Sequence, residues 1–310
     1  MKTRLHPESP SAGSSGFDVC VVGHVTKDIL KAGQATTLLP GGTAYYTALA
    51  LKSLGLNVAV VTKGAKEDRN YLLHELLANK VSVFWEEGDA TTVFENTYSG
   101  DNLGARTQTL KAMGTAFAAK DIAKIRAKAF HLGPLFRRDM ALQVLEKAAK
   151  EAKTVSLDVQ GMVRPARLGQ VVQQDWPDKK KWLGLIHVLK ANAQEAIILS
   201  GEKDPEGAAA VLSSFGPREV VITLGGRGSI VYAEGTIYTI PGFSPRKLVD
   251  PTGCGDTYAA AYLCQRLRGS SPEGAGRFAA ATATLKLEGL GPFKGAEEEV
   301  VAAQSFLTTS

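Results

Sequence analysis

From Phe17 onward the chain alternates short apolar runs with longer stretches of helical composition, and this rhythm restricts the fold more than any other feature. FDVCVVG (Phe17–Gly23), NVAVVTKG (Asn57–Gly64), VSVFWEE (Val81–Glu87), AFHLGP (Ala129–Pro134), TVSLDVQ (Thr154–Gln160), HVLKAN (His187–Asn192) and EVVITLGG (Glu219–Gly226) each have the length of a buried strand. Between them lie helix signals. GGTAYYTALALKSLG (Gly41–Gly55) opens on a glycine turn and closes near a glycine, and Asp68 is placed to cap a helix running to about Ala78. SIVYA and TIYTI flank Glu234-Gly235 as a hairpin, and the C-terminal part is mostly helical. Repeated strand–helix units imply an α/β fold: a doubly wound, mostly parallel sheet flanked by helices.

Two segments break the rhythm. TTVFENTYSGDNLGARTQTL (Thr91–Leu110) is polar, rich in Thr and Asn, and has a glycine-containing turn in its middle, as a hairpin with one wet face would. The stretch from Leu30 to Pro40 is also irregular. These insertions, near residues 30–40 and 89–111, are expected to form a small β-sheet lid on one domain spanning residues 17–310. An exposed edge of such a lid could pair with a second copy, so a homodimer is an open expectation. Residues 1–16 are Ser-, Gly- and Pro-rich without an apolar core, which predicts a disordered tail rather than a secretory signal.

Composition excludes several function classes. No apolar stretch is long enough for a membrane-spanning helix. Three cysteines, Cys20, Cys254 and Cys264, are too few and scattered for a disulfide framework or a zinc site, and a reducing cytoplasm is the expected compartment. The net charge is +5, but the densest basic run is only Lys179–Lys181, so a nucleic-acid partner is not expected. A modestly basic site for a small polyanion accounts for the same charge.

In sheets of this kind ligands gather where strands lead into helices. VDPTGCGDTYAAAYLCQRL (Val249–Leu267) places Gly253 and Gly255 around Cys254 and follows them with Asp256 at the start of a helix. Bare backbone at a positive helix end can point several amides at one anion. A carboxylate beside that anion can take a proton from an attacking hydroxyl. Asp256 could also be an ordinary acidic first-turn residue, and the local sequence leaves both readings open. Asn192 and Glu195 have the spacing of a capping box; equally, both could face a hydrated Mg²⁺ ion. Thr223–Ser229 (TLGGRGS) is a glycine turn between strands, outside the P-loop and strand–GxGxxG–helix patterns, which argues against a dinucleotide oxidoreductase. Asp28, just past the first strand, could accept two hydroxyls of a polyol or be a solvated turn residue. Gly41-Gly42 could be a turn or admit a ligand to the backbone. His131 fits a buried, hydrogen-bonded residue better than a catalyst.

Together the ordered motifs GHVTKD (Gly23–Asp28), Gly41-Gly42, NAQE (Asn192–Glu195), TLGGRG (Thr223–Gly228) and DPTGCGD (Asp250–Asp256) resemble the ribokinase-like, or PfkB, family of carbohydrate kinases over residues 17–308. The resemblance implies that Asp256 is the catalytic base and that the amides of Gly253, Cys254 and Gly255 form an anion hole. It implies that Asn192 and Glu195 organise Mg²⁺ and the phosphates through water, while Thr223, Gly225 and Gly228 lie along ATP. Asp28, Gly41 and Gly42 would contact the acceptor, and a monovalent cation such as K⁺ would sit near Asp250 and Thr252. The chain departs from the family pattern at Pro251 and Cys254, and at Tyr46, where ribose kinases carry an acceptor-binding Asn. SLDVQGMVR (Ser156–Arg164) resembles the inositol-kinase-like branch. ATP-dependent phosphorylation of myo-inositol or a similar small polyol is therefore expected, with Gln160 and Arg164 as acceptor contacts. A nucleoside or ketose kinase, or a non-catalytic sugar or nucleotide sensor, is the alternative.

Overall fold

The computed structural model describes residues 16–32, 35–98 and 106–306. Residues 1–15 of the expected tail at 1–16, and residues 99–105 in the middle of the expected Thr91–Leu110 hairpin, lie outside them. In chain order the first half contains β1 (Phe17–Val22), β2 (Thr26–Ala32), β3 (Ala35–Gly41), α1 (Thr43–Ser53), β4 (Val58–Gly64), α2 (Arg69–Ala78) and β5 (Ser82–Glu87). There follow β6 (Val93–Tyr98), β7 (Arg106–Ala112), β8 (Ala127–Leu132), α3 (Leu142–Glu151), β9 (Thr154–Asp158) and β10 (Gly169–Gln170). The second half continues with α4 (Lys179–Leu183), β11 (Val188–Asn192), α5 (Ala193–Ser200), α6 (Pro205–Ser214) and β12 (Glu219–Thr223). It ends with β13 (Ser229–Ala233), β14 (Thr236–Ile240), α7 (Cys254–Leu267), α8 (Pro272–Leu287) and α9 (Glu297–Phe306).

A nine-stranded sheet runs in the order β14-β13-β12-β11-β9-β8-β1-β4-β5. Every neighbour from β12 across to β5 is parallel, and the hairpin β13–β14 finishes one edge antiparallel. The parallel strands read as unbroken apolar runs because both faces are covered. In β1, Val19 and Val21 turn to a core with α1, α2, α7 and α8, while Cys20 and Val22 turn to a core with α3, α5 and α6. β4 divides the same way, Val58 and Val60 against Ala59 and Val61. Among the described residues no helix is long and apolar enough to cross a membrane.

The second, five-stranded sheet has the order β10-β7-β6-β2-β3. It departs from the sequence expectation in two ways. The first insertion begins at Thr26 rather than Leu30, so Asp28 sits on a strand and not in a turn. The charges of TKDILKA disguised it: Lys27 pairs with Asp68 at 2.5 Å and Lys31 with Glu95 at 2.8 Å, which lets a strand with lysines on it persist. The second departure is β10, two residues pairing Gly169 with Leu110, too short to leave a periodic signal. Asp68 occupies the N-cap position of α2 without a side-chain capping bond, its carboxylate being held by Lys27 instead. A small apolar cluster of Phe94, Leu110, Leu135 and Phe136 ties this sheet to the loop after β8, with Phe94 and Phe136 stacked at 5.6 Å.

Candidate active site

The site is built around the start of α7. Gly253, its N-cap, has φ +77°, and a Cβ there would lie 2.3 Å from the ring of Tyr46. Only glycine satisfies both constraints. It provides no side-chain cap, so the first-turn amides of Gly255 and Asp256 have no partner supplied by the helix itself. The amide of Cys254 turns back to the Pro251 carbonyl at a long 3.3 Å. A Cβ on Gly255 would meet Lys190 Nζ at 2.9 Å, so the second glycine makes room for an ammonium beside the helix mouth. Amides, helix dipole and ammonium thus converge on one small region of positive potential.

Lys190 ends deep in β11, only 6 % exposed, and its Nζ lies 2.9 Å from Asp158 Oδ2 at the end of β9. Burial works against its charge, but Asp158, Glu195 and Asp256 more than offset that, and its pKa is raised. Asp158 Oδ1 in turn accepts the Gln160 amide at 2.9 Å. Asp256 lies in the same field. Desolvation, reinforced by Asp158, pushes its carboxyl up to about 6, against the opposing pull of Lys190, Thr43 and Arg164. It is a carboxylate poised near neutrality next to the positive mouth of a helix, the combination a general base in phosphoryl transfer requires.

Lys190, Asp256 and the glycines of the helix mouth line a cavity of about 490 Å³, with Asp158 behind Lys190. Of the residues named from the sequence, Asp256, Gly253, Cys254, Gly255 and Thr252 form its helix-mouth wall. Asn192, Thr223 and Gly225, at the ends of β11 and β12, line it too, as do Asp28, Gly42, Gln160 and Arg164. Asp28 is 8 % exposed, and its Oδ1 accepts the Thr26 hydroxyl at 2.7 Å.

Four named residues are not among the lining. Gly41 backs Asp28: a Cβ there would lie 2.6 Å from Asp28 Oδ2. Gly228, at φ +91°, would meet the Ile240 carbonyl at 2.1 Å, and so lets the glycine turn pack against the chain leaving β14. Glu195 is buried and closes a capping box on α5: its Oε2 accepts the Asn192 amide at 2.8 Å and its amide donates to Asn192 Oδ1 at 2.9 Å. Asp250 faces a neighbouring cavity of about 880 Å³.

Sequence reasoning missed Lys190 and Asp158 as site residues, along with Thr43, Phe94 and Gln108 of the cavity wall. The first two had a signal: a charge inside a strand covered on both faces must be paired. His131 is buried as expected, with Nδ1 3.1 Å from Ser156 Oγ, and burial lowers its pKa to about 4, so it is neutral at pH 7.

Among the described residues no group of three His, Cys, Asp or Glu side chains could hold a metal. With Asn192 Oδ1 and Glu195 Oε2 engaged by the capping box, Mg²⁺ fits here as an ion carried by phosphate oxygens and its own waters, which these side chains would face.

Residues 16–298 match the pfkB family of carbohydrate kinases. The chain belongs to that family. It is therefore a ribokinase-family sugar or nucleoside kinase, a phosphotransferase of a family that uses ATP, typically with Mg²⁺. A pyrophosphate-dependent kinase of the ribokinase family, solved with a pyrophosphate analogue and myo-inositol, superposes with a TM-score of 0.82 at 28 % identity, over 92 % of this chain and 99 % of its own. The cytidine kinase of Thermococcus kodakarensis is 27 % identical over 267 residues, 82 % of this chain and 90 % of its own. The inositol 3-kinase of Arabidopsis thaliana is 24 % identical over 261 residues, 81 % of this chain and 68 % of its own.

Proposed function

We propose that this PfkB kinase transfers a phosphoryl group from ATP to a hydroxyl of a small cyclic polyol, myo-inositol or a close analogue. The observation that carries the reading is the raised carboxyl of Asp256 at the mouth of α7, beside Lys190 and in one cavity with Asp28, Gln160 and Arg164. The acceptor's other hydroxyls bond to Asp28 and Arg164, which leaves one directed at Asp256. As its oxygen attacks the terminal phosphorus, the proton passes to Asp256 and the bond to the bridging oxygen breaks. The amides of the α7 mouth and the Lys190 ammonium stabilise charge on the transferring group. Mg²⁺ arriving with the donor would neutralise charge on the bridging and terminal phosphate oxygens.

Tyr46 supports a polyol over ribose. Its ring packs under Gly253 in place of an acceptor-binding amide. Likeness to a kinase solved with myo-inositol and to an inositol 3-kinase points the same way. A nucleoside acceptor is the second reading. It is favoured by the cytidine kinase relative and by the larger cavity, whose apolar wall of Leu30, Leu39, Pro40, Leu290 and Pro292 meets the first cavity at Asp28 and Tyr46.

The test is a grid of acceptors (inositols, fructose, ribose, cytidine, adenosine) against two donors, ATP and pyrophosphate, with Mg²⁺ and products read by phosphorus NMR. The largest kcat/KM is expected for an inositol with ATP. Preference for cytidine or adenosine would replace the polyol reading, preference for pyrophosphate would replace the donor, and binding without turnover would make the chain a sensor.

A further inference from the structure

The loop that shapes the α7 mouth, Asp250–Gly253, is held from behind by a buried ammonium. Lys286, in the last turn of α8, has a side chain with no solvent exposure. Its Nζ donates to the Asp250 carbonyl at 2.7 Å and lies 3.1 Å from Asp250 Oδ2. Both carboxylate oxygens of Asp250 have further partners. Oδ1 accepts the Thr252 amide at 2.9 Å and Oδ2 the Gly291 amide at 3.1 Å, while the amides of Val249 and Asp250 donate to the Leu287 carbonyl at 2.8 and 3.2 Å. The loop crosses the C-terminal, negative end of α8, and a cation is what that end favours.

A monovalent ion expected near Asp250 and Thr252 would need the same Asp250 oxygens that Lys286 holds. An ammonium group and a potassium ion are close in size and seek similar oxygen distances, so the two cannot share the place. The residues present do not fit the ion. We propose that Lys286 is a tethered cation that replaces the dissolved one, and that the α7 mouth keeps its shape without K⁺. The replacement changes control: a dissolved ion exchanges with its surroundings, whereas a lysine is always present, so this kinase is insensitive to potassium. Burying an ammonium is costly unless it is paired, and here the pairing is to the carbonyl and carboxylate of Asp250, whose Oδ1 also holds the amide of Thr252, the residue before Gly253.

The inference concerns the loop behind the catalytic wall and rests on the kinase reading only where turnover is measured. The experiment therefore has one arm without turnover. Thermal melting of the full chain is followed in tetramethylammonium chloride, with K⁺ substituted at constant ionic strength. Wild type is expected to melt at the same temperature throughout. Lys286→Ala, which opens space, is expected to melt lower and to regain several degrees as K⁺ is added, as for an ion that binds only the folded form. Lys286→Met, which fills the space without charge, is expected to melt lower and not to recover. In the second arm, phosphorylation of the best acceptor follows the same pattern: no K⁺ response in wild type, several-fold K⁺ rescue of Lys286→Ala.

A wild-type melt or turnover that climbs with K⁺ overturns the proposal, as does a Lys286→Ala protein that K⁺ leaves unchanged. Should that variant not fold, crystals of wild type soaked in Rb⁺ decide: no anomalous peak beside Asp250 supports the tethered cation, and a peak there refutes it. If no acceptor is turned over, the melting and Rb⁺ results still decide the matter, while the kinase reading fails separately.

Discussion

At the residue scale, the proposed role of Asp256 ties stability to function through one side chain. Its carboxyl is raised from 3.8 to about 6, chiefly by desolvation. Ionisation is therefore disfavoured by folding: the unfolded chain releases this proton near pH 4, the folded chain only near pH 6. Between those values the wild type loses stability as pH rises, and above about 6 the loss is complete. Asp256→Asn removes the titrating group. The melting temperature of the variant minus that of wild type should grow from pH 4 to pH 6 and level off beyond. With Asp256 as the proposed base, catalysis runs the opposite way, because a base must be ionised, so wild-type kcat/KM should fall as pH drops through about 6. Turnover of Asp256→Asn should be lower by about 10²–10⁴-fold at neutral pH with donor binding retained. Activity surviving within about tenfold would show that another group takes the proton. Asp256 was visible in the sequence because glycines surround it. Lys190 was not singled out, because its partner Asp158 is 32 positions away and only the pairing of β9 with β11 brings them together.

At the element scale, α5 shows a motif with two meanings that one geometry can hold at once. Asn192 and Glu195 cap the helix reciprocally, and Glu195 also faces Lys190, whose charge opposes the burial that raises its carboxyl. Asn192→Ala should cost about 1 kcal/mol of stability, read by urea unfolding. Glu195→Gln keeps a residue able to close the box. We expect its stability to be retained while the half-saturating Mg²⁺ concentration rises, since what the amide removes is charge. If Glu195→Gln unfolds as early as Asn192→Ala and its Mg²⁺ response is unchanged, the residue is a cap alone. The large-sheet strands were legible because burial on both faces writes an uninterrupted apolar run, as in β1 and β4. β2 was not, because its lysines are neutralised by Asp68 and Glu95 on other elements, information no local window contains. Asp68 was misjudged as a side-chain cap for the same reason.

At the scale of the whole molecule, the cavity lies between two sheets. The large sheet and its helices supply Lys190, Asn192 and Asp256, and the small sheet supplies Thr26, Asp28, Phe94 and Gln108. Acceptor binding should therefore slow amide hydrogen exchange in β2 and β6 as well as at the start of α7, whereas donor alone should protect chiefly the α7 mouth. Equal protection of the small sheet by donor alone would mean that the acceptor does not bridge the two layers. The ring of Tyr46, from the first helix, fills the place where a side chain on Gly253, more than two hundred positions later, would have to go. Any attempt to redesign acceptor choice by swapping Tyr46 would also remove the prop beneath the catalytic loop. New specificity in this scaffold has to be selected as a matched pair of changes, one in each half of the gene.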